Sequence, residues 1–280
     1  MTDIPTPPDF ERHIVDDFDS AELDRRLNRR MLYNAQLGVK GDVAELEKTG
    51  DARFLSLKKQ AGALLGDAVA RGIFAPLAAY RFLPAQSGGN SITVYNPADR
   101  TFAPVIFDFP RQPEGEKLCL ADFVGPSAGG KMDYIAMFVC TCGGGFAREA
   151  ARLREAGRLA DSHILNALAA VYAEAIAEAV HARIRREWFG CDEESSRSAS
   201  TGCGGKCAHG GFCGPAPKGR GERYSFGYPA CPALEQQEKL FSLLSPGDIG
   251  VTLTESFMME PEASVSALAL HNPRAKLFAI

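Results

Sequence analysis

The stretch Arg223-Tyr-Ser-Phe-Gly-Tyr-Pro-Ala-Cys-Pro232 sets an arginine, a hydroxyl and an aromatic ring beside a glycine and two prolines that restrict the backbone. Arg223 can pair bidentately with a carboxylate, Tyr228 can cover an apolar ligand face, and a fixed backbone can offer amides and carbonyls around Ser225 and Gly227. A well-packed loop accounts for the same residues equally well. Upstream, Glu174, Glu178, His181 and Arg185 follow at i, i+4, i+7 and i+11, so in a helix they share one face. Read alone, that face is a solvated one with helpful charge pairs.

A third group is Cys203-x3-Cys207-x5-Cys213, with Cys191 and His209 nearby. It supplies enough soft ligands for a tetrahedral zinc or an iron–sulfur cluster, although the spacing matches no C-x2-C pattern. The competing reading is a glycine-rich loop that merely carries thiols. Cys140 and Cys142 are assigned to opposite faces of a strand and so are not expected to ligate one ion, while Cys119 and Cys231 read as packed thiols. The run Gly143-Gly144-Gly145 reads as a turn rather than an anion nest. There is no Walker loop, GxSxG elbow, HExxH or strand-GxGxxG-helix fingerprint.

These residues need a scaffold, and its texture changes along the chain. Asp19 with Glu22 resembles a capping pair, and Leu23, Leu27 and Met31 continue at helical spacing up to Gly38. Leu55, Leu64, Leu65, Ala68 and Val69 predict a second helix that stops at Gly72. Short apolar runs then predict four strands, within IFAPLAAYRFL, SITVY, PVIFDF and DYIAMFVCTC. Their spacings are too short for helical crossovers except after Cys142, which favours antiparallel pairing and an α+β sheet. Residues 161–189 predict the strongest helix, capped by Asp161, with one apolar stripe through Leu165, Leu168, Tyr172, Ile176 and Ala179. Residues 191–222 are rich in Gly, Ser and charge and read as an insertion, after which a helix near Leu234–Leu244 and strands around 251–257 and 265–270 restore order.

Composition narrows the class. The chain has 280 residues, 45% hydrophobic and 24% charged, enough for one large domain or two small ones with a real core. A net charge of -4 gives no basic footprint, so nucleic acid is an unfavoured partner. The start MTDIPTPPDF lacks the basic and apolar regions of a secretory signal, and Leu165–Val180 is interrupted by Glu174 and Glu178, so a cytoplasmic protein without a membrane span is expected. Eight cysteines are too sparse for a disulfide scaffold.

RYSFGYPACP resembles the RxxxGYPACP signature of the activation domain of cobalamin-dependent methionine synthase, and Glu255-Ser-Phe with Ala263-Ser-Val-Ser resembles that family's ESFxMxPxASVS strand pair. Arg71-Gly-Ile-Phe, Cys119-Leu-Ala-Asp-Phe-Val, Asp133-Tyr-Ile and the helix ending EWFG extend the resemblance over about residues 60–280. It implies a C-shaped α+β domain, a curved, mainly antiparallel sheet flanked by helices, with residues 1–60 as a helical N-terminal extension and 61–280 as the S-adenosylmethionine-binding domain that carries the 191–222 insertion.

The implied function is reductive reactivation in trans of a cobalamin-binding methionine synthase. Flavodoxin, ferredoxin or another low-potential donor supplies one electron to cobalamin carried by the partner, and S-adenosylmethionine supplies the methyl group. The resemblance assigns ligand contacts to Arg223, Ser225, Gly227, Glu174 and Phe278, and assigns Tyr228, facing the corrin, to the catalytic position. Two other classes stay open: a reactivator of another corrinoid methyltransferase, and a non-catalytic S-adenosylmethionine- or metal-binding adaptor. The family's early aspartate segment, resembling DWTPFF, has no counterpart in residues 1–60, and its paired C-terminal tyrosines are replaced by Leu277 and Phe278. With no cobalamin-binding DxHxxG segment and no room for a homocysteine or folate barrel, the chain is not expected to make methionine alone.

Overall fold

The computed structural model describes residues 4–97, 103–189 and 221–280. Its centre is a seven-stranded sheet built from β1 (Arg12–Val15), β2 (Leu77–Gly88), β3 (Ser91–Val94), β4 (Val105–Asp108), β5 (Asp133–Thr141), β6 (Glu222–Ser225) and β9 (Ser264–Leu270), while β7 (Thr252–Leu253) and β8 (Met259–Glu260) form a separate pair. The strand order is β4-β3-β2-β5-β9-β6, with β1 added to β2, and every ladder is antiparallel. The fold is α+β, as the short connections require: β2 turns into β3 through Gly89, whose φ of +61° suits a tight hairpin.

The helices are α1 (Ser20–Arg26), α2 (Val43–Thr49), α3 (Ala52–Ala70), α4 (Gly145–Glu155), α5 (Leu159–Phe189) and α6 (Gln236–Leu244). Asp19, Asp42 and Asp51 accept first-turn backbone N–H groups of α1, α2 and α3, so three aspartates start three helices. The single helix expected from Asp19 to Gly38 is two pieces, α1 and a π-helical turn at Met31–Gln36. Between them Leu27 is extended and the Asn28 side chain accepts the Met31 N–H at 2.9 Å, a local alternative to continuing the helix. A strand at residues 12–15 and the helices α2 and α4 add to the expected elements.

The α5 helix differs most from its expected form. Instead of a single apolar stripe it is buried nearly all round, because α1, α3 and α4 cover the side that faces away from β5 and β9. By length and composition Leu159–Trp188 would suffice to cross a membrane, but 72% of its most apolar window is buried inside this fold, as for a core helix. Ala169, Ala173 and Ala177, one turn apart, let it approach the sheet closely: the Cys140 and Cys142 thiols lie 3.7 and 3.3 Å from the carbonyls of Ala173 and Ala169. A leucine at Ala173 would overpack this contact at a cost of roughly 1–3 kcal/mol.

Cys140 and Cys142 therefore share the α5 face, against the expectation of opposite faces. Residues two apart on a strand point the same way. Both thiols are fully buried, and burial pushes both pKa values well up, which makes them inert packing groups.

The sheet's other face carries a second core, where Leu83, Ile92, Phe107, Met137 and Leu268 pack beneath α6 and the 3-10 turn at Leu120–Phe123. Coverage on both faces explains why DYIAMFVCT shows no alternation: eight of its nine residues are buried. Cys119 and Cys231 lie in this layer as buried free thiols.

Candidate functional site

Strand β6 lies at the sheet edge beside β9, with Arg223 opposite Ala269 and Ser225 opposite Ala267. Alternation sends Arg223 and Ser225 to the α5 side and Tyr224 to the other, where its hydroxyl donates to the Lys276 carbonyl at 2.8 Å. The residue before the strand is Gly221, where φ is +82° and a Cβ would sit 2.1 Å from the Leu270 carbonyl oxygen. Only glycine allows the chain to join β9 at that point.

The Arg223 side chain is 13% exposed and reaches across to α5. Its Nη2 donates to Glu174 Oε2 at 3.1 Å and to Glu178 Oε1 at 2.8 Å, and Nη1 donates to Ser225 Oγ at 3.0 Å. Glu174 and Glu178 sit one turn apart on α5 and keep about a third of their side-chain surface open, 34% and 32%. The Tyr228 hydroxyl closes the set, donating to Glu174 Oε1 at 2.8 Å while its residue remains 41% exposed. Glu174 thus holds the arginine with one oxygen and the tyrosine with the other.

The turn after β6 fixes Tyr228. Gly227, at φ +83°, donates its N–H to the Cys231 carbonyl at 2.9 Å, and the Cys231 N–H returns to the Tyr228 carbonyl at 2.8 Å. Glycine is required there by the left-handed backbone, and an added Cβ would meet Leu234 Cδ2 at 3.1 Å. Buried Cys231 anchors the far side of this small ring.

Charge balance gives each group a defined state. Burial opposes the charge on Arg223, and the carboxylates of Glu178 and Glu174 overcome it, so the guanidinium is held more firmly protonated than usual. Burial, then Glu174, raises the Tyr228 pKa, which leaves its hydroxyl a donor. On β6, Glu222 is half-buried and its pKa is raised by burial and by Glu178. His181, buried one turn beyond Glu178, has its pKa lowered well below the ordinary value by burial and by the charges of Arg185, Arg223 and Arg26, so it is neutral at pH 7. The arrangement is a partly exposed patch in which two carboxylates lie beside an exposed tyrosine ring. Such a surface suits a cation with an apolar, aromatic body.

The structure therefore brings together Arg223, Ser225, Gly227, Tyr228 and Glu174, with Glu178 as an added member. It sets Phe278 apart: this half-buried ring packs against Phe123 and Tyr224, each centroid 6.2 Å away, at the margin of the core on the sheet's other face. Leu277 is 57% exposed. The residue that sequence reasoning missed is Glu222, assigned to the insertion although it opens strand β6. Cys191, Cys203, Cys207, Cys213 and His209 lie outside the described residues. Among the described residues there is no group of three or more His, Cys, Asp or Glu able to hold a metal ion.

Residues 38–280 match the family model for the activation domain of vitamin B12-dependent methionine synthase. The chain is 30% identical to methionine synthase of Mycobacterium tuberculosis (strain ATCC 25618 / H37Rv) and 29% identical to that of Mycobacterium leprae (strain TN), each over 99% of its own length. It spans 23% of the length of each of those relatives. A crystal structure of the MetH reactivation domain bound to AdoHcy superposes with a TM-score of 0.82 at 25% identity, covering 99% of this chain and 83% of that one.

Proposed function

Because the chain belongs to the family of vitamin B12-dependent methionine synthase activation domains, we propose that it binds S-adenosylmethionine and presents its methyl group to a cobalamin domain lying outside these 280 residues. The observation that carries this reading is the Arg223–Glu174–Tyr228 network, fixed carboxylates beside an exposed ring whose features suit a sulfonium attached to a nucleoside.

In this reading Glu174 and Glu178 attract the cationic end of the ligand, and the attraction gains strength from partial burial. Arg223 holds both carboxylates in place, Ser225 steadies the arginine, and the backbone around Gly227 lies along the adenosine. Tyr228 covers the ligand and faces the corrin. The cobalamin partner supplies the nucleophile. One electron from flavodoxin, ferredoxin or another low-potential donor reduces Co(II) to Co(I). Co(I) then attacks the methyl carbon as the C–S bond breaks, leaving methylcobalamin and S-adenosylhomocysteine. The leaving group and nucleophile are both good, so the chain's contribution is positioning.

The domain organisation follows the same reading: residues 61–280 form the binding domain and residues 1–60 an extension. The protein works in the cytoplasm, on a protein partner and without nucleic acid or membrane. Cys191, Cys203, Cys207 and Cys213 are assigned to a zinc or iron–sulfur site, to be tested by metal analysis and visible spectroscopy after anaerobic purification; absence of stoichiometric metal removes that assignment. The test of the binding reading is calorimetric titration with S-adenosylhomocysteine. Saturable one-to-one binding that is lost in Arg223→Ala supports it, and absence of binding to the folded wild-type protein contradicts it.

A further inference from the structure

The tip of the β7–β8 hairpin carries a backbone outlier. Phe257 has φ +61°, in the left-handed region that a bulky aromatic residue seldom enters. Strain of this kind persists only where the surroundings enforce it. Around Phe257 the enforcement is explicit. The Phe257 N–H donates to the Thr254 carbonyl at 2.9 Å, the Thr254 N–H to the Met258 carbonyl at 2.9 Å, and the Met258 N–H to Thr254 Oγ1 at 3.1 Å. The Phe257 carbonyl is held from α6, where Gln237, 1% exposed, donates to it from Nε2 at 2.8 Å.

Gln237 is itself tied to the sheet. Its Oε1 accepts the Ser266 hydroxyl of β9 at 2.7 Å, and the Ser266 carbonyl accepts the Phe226 N–H at 3.2 Å, where the chain enters the turn that carries Tyr228. A single strand residue therefore braces two turns, one through its carbonyl and the other through its hydroxyl and Gln237. Burying a glutamine is costly unless both ends of its amide are bonded. Here both are bonded, and one of the two bonds fixes the strained tip.

What the two turns offer outward is apolar. Tyr228 is 41% exposed and Met258 48%, while the N–H groups of Phe257 and Met258 are already bonded within their own turn. A methionine thioether is adaptable and polarizable, which suits it to the face of a flat conjugated ring. We propose that Met258 is a second contact, with Tyr228, for the corrin of the cobalamin partner, and that Gln237 is the positioning residue that holds the Phe257–Met258 turn in place to make it. This rests on the function proposed above, in which Tyr228 faces the same ring.

The test varies the concentration of the partner, a methionine synthase lacking its own activation domain and held as cob(II)alamin, at saturating S-adenosylmethionine and a fixed low-potential donor. Methylcobalamin formation gives kcat and an apparent KM for the partner. Wild type, Met258→Ala, Met258→Leu, Gln237→Met and the double variant Met258→Ala/Gln237→Met are compared, with S-adenosylhomocysteine affinity and thermal unfolding measured on each preparation. Met258→Ala is expected to raise the partner's KM by roughly 5- to 10-fold, the scale of one truncated interface anchor, and to leave S-adenosylhomocysteine affinity unchanged. Met258→Leu, which restores the bulk, should recover most of the loss. Gln237→Met should raise the same KM, and the double variant should add little to Met258→Ala because one residue acts through the other. A purely structural role for Gln237 would lower the unfolding temperature and leave the KM alone, which would overturn the positioning assignment, as would fully additive effects. Met258→Ala with the wild-type KM would overturn the corrin contact. If Gln237→Met does not fold, Ser266→Ala removes the other end of the same relay and decides in its place. Wild-type protein that gives no methylcobalamin at any partner concentration overturns the proposed function itself, and this inference with it.

Discussion

Arg223 on β6 and Glu178 on α5 meet at 2.8 Å although 45 residues separate them in the chain. The pair joins the sheet edge to the core helix. Because the arginine is almost wholly buried and the glutamate a third exposed, the contact lies between a surface ion pair and a buried one in strength.

Arg223→Ala removes three hydrogen bonds at once and leaves Glu174 and Glu178 facing each other one turn apart. Stability should fall by roughly 1–3 kcal/mol, discounted for the exposed carboxylates. Binding of S-adenosylhomocysteine should be lost. Denaturant titration and calorimetry on the same preparation measure both; unchanged affinity would mean that the arginine does not organise the site.

Tyr228→Phe keeps the ring and removes only its hydrogen bond to Glu174. Ligand affinity should drop by about fivefold, the worth of one ordinary hydrogen bond, while Tyr228→Ala should cost more because the covering surface goes too. Equal losses for the two variants would assign the whole effect to the hydroxyl and none to the ring.

Gly221→Ala tests how β6 is placed. The Leu270 carbonyl oxygen occupies the position a Cβ would need, so the strand must shift and Arg223 must shift with it. The expected result is a loss of stability above about 2 kcal/mol together with loss of ligand binding. Wild-type stability and affinity in this variant would contradict the tight placement of β6 against β9.

Acid should unfold the protein in two stages. His181 has a folded pKa well below its ordinary 6.5, so its contribution is present above 6.5 and falls away as pH drops below that value. Glu149, gripped by Arg152 and Arg71, has its pKa lowered from 4.5 to about 2, so its contribution is full above 4.5 and is lost as pH falls through about 2. Denaturant titrations across pH should show the first slope vanish in His181→Gln and the second shrink in Glu149→Gln. Variants that keep the wild-type profile would contradict these assignments.

Much of this site was legible before the fold was known. The GYPACP turn, the arginine five residues before its tyrosine and the glutamates four apart on a helix are local patterns, and each sits where its pattern implies. The α+β class followed from connections too short for crossovers. What escaped was decided by tertiary contact. Strand β6 hides at the end of a polar stretch because its neighbour β9 lies 40 residues downstream and only pairing makes it a strand. Phe278 lies across the sheet because the last ten residues have no periodicity to predict their path. The all-round burial of α5 depends on α1 and α3, which no property of α5's own sequence reveals.

The central claim is methyl transfer to a cobalamin partner, and one experiment reaches it directly. Methionine synthase lacking its own activation domain is held anaerobically as cob(II)alamin and mixed with this chain, S-adenosylmethionine and a low-potential electron donor, and the cobalamin spectrum is followed. The account predicts conversion to methylcobalamin that requires this chain and is lost in Arg223→Ala. No conversion, with S-adenosylhomocysteine binding intact, would contradict transfer to that partner.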